Sequence, residues 1–122
     1  KQANRPNLKM QLDTGNAFAV FEDPLDCARA LARHTASVHI KDIHVVPFAD
    51  APCPGTRALS VPLGEGHVDN EAICAILQHD APDPAGLALM VEPFYLDEET
   101  DPIAFLQKSV AWARRHLAQH LN

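Results

Sequence analysis

The chain has 122 residues, of which 47% are hydrophobic and 21% charged, and its formal net charge is -6. That is enough chain for one domain with a real core, and too apolar a chain to stay disordered. Its 10 Lys and Arg are scattered among 16 Asp and Glu, which argues against nucleic acid, a partner that needs clustered positive charge.

No apolar run approaches the roughly 20 residues of a membrane span, and no charged-then-apolar signal opens the chain. Cys27, Cys53 and Cys74 are odd in number and lack the close paired spacing of a zinc ribbon or a redox motif. They read as free thiols in a reducing compartment, with the cytoplasm as the expected location.

The chain opens on Lys1 and reaches its first strand within ten residues, as a piece of a longer chain would. In that strand Leu8, Met10 and Leu12 share one face and Lys9, Gln11 and Asp13 the other, until Gly15 breaks it. A short apolar loop from Ala17 to Phe21 is expected at the mouth of the sheet. Asp23-Pro24 then supplies an N-cap and a first-turn proline. Leu25, Ala28, Leu31 and Ala32 follow at helical spacing to about His34.

Residues 36–42 form the second predicted strand, with Val38 and Ile40 opposite Ser37, His39 and Lys41. The connection from Ile43 to Gly66 is proline-rich and shows little periodicity, so it is expected to be an irregular functional loop. Asp69 caps a helix whose Ile73, Ile76 and Leu77 face the core up to about His79. After a turn over residues 80–86, Leu87 to Glu92 make the third strand, which Pro93 stops. Asp101-Pro102 starts a last helix of about 20 residues, with Ile103, Leu106, Val110, Ala113, Leu117 and Leu121 as its buried stripe. Arg114, Arg115, His116 and His120 fall in its last turns, where positive charge suits the macrodipole.

Strand and helix alternate three times, which predicts α/β architecture with parallel strands and right-handed crossovers. Three such units leave two open sheet edges, so the piece should be marginal alone or should associate. Three of the eight units of a (β/α)₈ barrel, which takes about 250 residues, account for the length and the abrupt start.

Asp13, His39 and Glu92 lie opposite the large apolar side chains and end their strands, so they converge at one end of the sheet. One imidazole and two carboxylates suit a borderline divalent ion such as Mn²⁺, Zn²⁺ or Co²⁺, whereas an all-oxygen site leans to Mg²⁺. Each residue also has a bland reading: a turn-former before Thr14-Gly15, a core histidine, a strand end before Pro93.

Four stretches, Leu12-Asp13-Thr14-Gly15-Asn16, Val38-His39-Ile40-Lys41-Asp42, Pro62-Leu63-Gly64-Glu65-Gly66-His67-Val68-Asp69 and Met90-Val91-Glu92-Pro93-Phe94, together resemble the sugar phosphate isomerase/epimerase family. These are the xylose-isomerase-like barrels, which also include endonuclease IV. The resemblance implies strands six, seven and eight of the barrel, with Asp13, His39 and Glu92 as ligands of a divalent ion (Mn, Zn, Co or Mg). A fourth ligand, a Glu of strand five, would precede Lys1. It also implies that Glu92 is one of two glutamates that move a proton beside the carbonyl of a sugar through an enediolate.

Asn16 stands where many relatives have a substrate-contacting His, and is expected to touch substrate although it cannot shuttle a proton. Lys41 shares the phase of His39 and would neutralise a carboxylate, phosphate or enediolate oxygen of a sugar or sugar-phosphate substrate, or else form a salt bridge at the mouth. Asp42 would orient a ligand imidazole or cap a turn. Gly64 and Gly66 are expected to permit a tight turn, with Glu65 outside the ligand set. Phe18, Phe21, Phe94 and Tyr95 would wall the sugar pocket or pack loop on loop. The leading expectation is a metal-dependent sugar or keto-sugar isomerase or epimerase acting on a small molecule. Dehydration of a cyclic polyol ketone is an alternative on the same site. A nuclease like endonuclease IV is disfavoured by Asn16, by the lack of an Asp-x-His pair within the loop from Ile43 to Gly66, and by the acidic charge. A non-catalytic module that assembles with itself or with the missing barrel half is the third reading. With one ligand outside the 122 residues, the isolated chain should turn over little or nothing.

Overall fold

A computed structural model describes Arg5 and residues 7–48, 55–93 and 96–120. Its elements run β1 (Met10–Asp13), α1 (Pro24–Leu31), β2 (Thr35–Ile40), β3 (Asp42–Phe48), β4 (Gly55–Val61), α2 (Asn70–Asp80), β5 (Ala88–Val91) and α3 (Pro102–His116). Short 3₁₀ turns occupy Asn16–Val20, Ala32–His34 and Ala118–His120. The strands β1, β2 and β5 form one sheet in the order β1-β2-β5, and both pairings are parallel, as the alternation of strand and helix predicts. Asp13 pairs with His39, and His39 with Met90, so the three strands end at nearly the same level.

The helices begin where the Asp-Pro pairs put them. Asp23 accepts from the Leu25 and Asp26 amides, Asp101 from those of Ile103 and Ala104, and Asp69 from Ala72 N–H. One face of the sheet then carries the core. Leu12, Val38 and Ile43 pack with Ala28 and Ala32 of the first helical segment and with Ile73 and Leu77 of α2. Ile40 continues this layer with Leu63, Cys74 and Leu117. Burial of such side chains stabilises by about 1.5–3 kcal/mol each.

Four expectations need correction. The connection after the second strand is not irregular: β3 and β4 form an antiparallel ribbon paired from Asp42↔Val61 to Phe48↔Gly55. A two-stranded ribbon that is largely exposed along β4 needs no apolar face, so its sequence shows no period, and Pro47 lies opposite Thr56 next to the end of the ladder. The second strand stops at Ile40 rather than residue 42, because Lys41 is the joint at which the chain leaves the parallel sheet for the ribbon. Leu8 and Met10 are exposed, since only Leu12 of the first strand reaches the helices.

The fourth correction concerns α3, which ends at His116. Phe105 and Ser109 are its buried residues, and of the expected stripe Leu117, just past its end, is buried and Ala113 packs against the core, while Ile103 is 62% exposed. Ile103, Leu106 and Val110 line an apolar groove of about 400 Å³ along the helix, and Val110 also borders a cavity with Ile40, Leu89 and Val91 of the sheet. Leu121 lies outside the described residues.

Candidate metal centre

The opposite face of the sheet carries Gln11, Asp13, Ser37 and His39 together with Ala88 and Met90, and its carboxyl edge gathers the polar side chains. One ligand atom from each of Asp13, His39 and Glu92 lies within 4.8 Å of the others. The strands place them there by register: Asp13 is beside His39, and the ladder runs on through Thr14 N–H to His39 C=O and Glu92 N–H to Ile40 C=O, 3.0 Å each. Ligands about 2.1 Å from a shared ion lie at most about 4.2 Å apart, so a side-chain adjustment of about half an ångström would close this set around one. A nitrogen and two carboxylate oxygens also match a borderline divalent ion in chemistry.

Each donor is already held. Asp13 Oδ1 accepts from the Gly15 and Asn16 amides at 3.1 and 3.0 Å, a turn that fixes the carboxylate and leaves Oδ2 for the cluster. His39 Nδ1 lies 3.0 Å from Glu92 Oε2. Lys41 Nζ is 2.8 Å from Asp13 Oδ2 and 2.8 Å from Glu92 Oε2. Burial opposes the Lys41 charge, but its hydrogen bonds to Asp13 and Glu92 outweigh that and raise its pKa above the usual lysine value. The same Lys41 hydrogen bond, against some desolvation, holds Glu92 below the usual glutamate value.

Three residues that sequence reading passed over or placed differently build the floor of this site. Thr14 Oγ1 donates to Lys41 C=O and accepts from Lys41 N–H, both at 3.1 Å, and Asn70 Nδ2 donates to the same carbonyl at 3.0 Å. The backbone of the joint residue is thereby satisfied without a strand neighbour. Asp42 does not orient an imidazole. Its buried carboxylate accepts from the backbone N–H of Ile43, Gly64, Gly66 and Val68 at 2.9–3.1 Å, so it ties down the loop between β4 and α2.

Within that loop Gly64 has φ +86° and lies against Trp112, whose Nε1 would be 2.0 Å from an added Cβ. Glu65 pairs with Lys108 at the surface. Of the four aromatic residues expected at the pocket, the two that are described do not wall the cluster. Phe18 packs on the helix-side core and Phe21 is 91% exposed, while Phe94 and Tyr95 lie outside the described residues. Asn16 lends its amide to Asp13 and is exposed. Cys27 and Cys74 are free thiols, and Cys53 lies outside the described residues. Among the described residues, no helix is long and apolar enough to cross a membrane.

Parallel βα units with polar side chains converging at the carboxyl ends of the strands define a protein of the α/β-barrel class, which keeps its chemistry at that end. The chain belongs to the xylose isomerase-like TIM barrel family, which it matches over residues 1–116. No curated protein matches it significantly.

Proposed function

We infer that the chain supplies strands six to eight of a barrel that isomerises or epimerises a sugar or keto-sugar with a divalent ion. The observation that carries this reading is the convergence of Asp13, His39 and Glu92 donors within 4.8 Å at the strand ends, in a chain of this family. Asp13, His39 and Glu92 would hold the ion, with a Glu from the preceding strand as the fourth ligand. When bound, the ion would polarise the substrate carbonyl and stabilise the oxygen of the enediolate.

Glu92 would take the proton from the carbon beside the carbonyl. Its carboxylate is ionised at neutral pH, kept so by Lys41, and 42% of its side chain is exposed and reachable by substrate. Lys41 and Asn16 would contact substrate oxygens at the mouth. The rest of the barrel, on the same or another copy of the chain, would cover the open strand edges and the groove on α3.

Glu92→Gln in the full-length protein tests the role of base. Incubated with ketoses in deuterated solvent, the wild type should wash deuterium into the carbon beside the carbonyl, and the variant should not, while keeping its circular dichroism. Exchange retained in the variant would remove Glu92 from that role. Metal analysis should find about one divalent ion per barrel, and none would remove the ion.

A further inference from the structure

We propose that Lys41 is a built-in stand-in for the ion, and that the site loads by exchange, the ammonium leaving the Asp13 and Glu92 oxygens as the divalent cation arrives. This rests on the metal-site reading above. Lys41 Nζ bridges those two carboxylates at 2.8 Å on each side. Two carboxylate oxygens bridged at that distance form the cation position of the cluster, and a divalent ion cannot share it with an ammonium, because their like charges would meet at contact distance.

The seat is prepared from several directions. The Lys41 side chain is only 4% exposed, although lysine is rarely buried. Position 15 is kept small by the Ile43 and Lys41 side chains together: a Cβ on Gly15 would lie 2.6 Å from Ile43 Cδ1, 2.8 Å from Lys41 Cγ and 3.0 Å from its Cδ. Thr14 and Asn70 pin the Lys41 backbone on both sides of the peptide, so the head can leave only by turning its own side chain. A lysine whose backbone is clamped and whose stem is cradled holds the two acidic ligands close together, at the expense of competing for them. Without it, Asp13 and Glu92 would repel each other across the sheet.

The charge balance says what the exchange does. With the glutamate of the preceding strand proposed above, three carboxylates and one ammonium carry a net charge of minus two. A divalent ion in place of the ammonium brings that set to minus one, with the displaced ammonium carrying its charge outside it. Lys41 therefore lowers the affinity for the ion and, once displaced, puts a mobile cation beside the substrate.

The test is titration calorimetry of the full-length protein with Mn²⁺ and Co²⁺, comparing wild type with Lys41→Met and Lys41→Gln. Met keeps the length and packing of the stem. Gln keeps a hydrogen-bond donor for the carboxylates and serves if the Met variant fails to fold. The neutral variants should bind at least about tenfold more tightly than wild type, equivalent to about 1.4 kcal/mol. Lys41→Arg, which keeps the charge, should bind no more tightly than wild type. Neutral variants that bind equally or more weakly, with wild type still binding, would overturn the exchange and leave the metal site standing. No binding by any form would overturn both.

Discussion

Asp42→Asn isolates what the buried carboxylate does. In the native protein each of its oxygens accepts two backbone amides: Ile43 and Val68 on Oδ1, Gly64 and Gly66 on Oδ2. An asparagine can keep one pair on its carbonyl oxygen, but its amide group then faces the other two N–H groups, donor against donor. Each buried donor left unpaired costs about 1–3 kcal/mol, and the charge that strengthened the remaining pair is gone, so the loss should be about 3–5 kcal/mol. Set against a typical domain stability of about 5–15 kcal/mol, this is a large fraction. Urea unfolding followed by circular dichroism would read it as a lowered midpoint. Amide exchange would show Gly64 and Gly66 losing protection first. A loss below about 1 kcal/mol, with both amides still protected, would mean that the carboxylate is not what holds the loop.

Gly64→Ala combines a left-handed backbone with a Cβ driven into the Trp112 ring, and should destabilise by about 2–4 kcal/mol, with the tryptophan emission shifting; a melting temperature like wild type refutes the contact. Because the folded-state pKa of Glu92 lies below its ordinary 4.5, its contribution to stability is complete above that value and is lost as pH falls through the lowered one. Carbon NMR of the Glu92 carboxyl group should show a midpoint under 4.5, and a midpoint at or above it would refute the Lys41 bridge. Cys27, whose thiol donates to Glu22 Oε2 at 3.0 Å, has its pKa raised from 9.0 to about 11 by that bond and by desolvation. At pH 8 the thiolate fraction, and with it the alkylation rate, should be about 100-fold below that of an ordinary thiol, and Glu22→Gln should speed iodoacetamide labelling of the Cys27 peptide.

The parts of the fold that local rules govern were legible from the residues. Period-two alternation fixed the phase of all three parallel strands, and that phase is why Asp13, His39 and Glu92 could be placed on one face. Asp-Pro and Asp caps marked the helix starts to within a residue. What escaped was set by tertiary partners. The β3–β4 ribbon is held by backbone pairing with little apolar patterning, so no period announces it. Thr14 and Asn70 act on Lys41 across 27 and 29 residues, and Asp42 on Gly64 across 22, separations that no local motif encodes. The apolar positions of α3 were visible, but which of them face inward depends on the angle at which the helix lies on β5. Ile103 was therefore assigned to the wrong side.

Lys41 and Asp42 are consecutive, yet one reaches into the ligand cluster while the next grips the loop that rests on Trp112. The interior rim and the outer helical shell are thus separated by a single peptide unit. A change at Trp112 therefore bears on a loop whose anchor, Asp42, is the chain neighbour of the lysine that bridges Asp13 and Glu92.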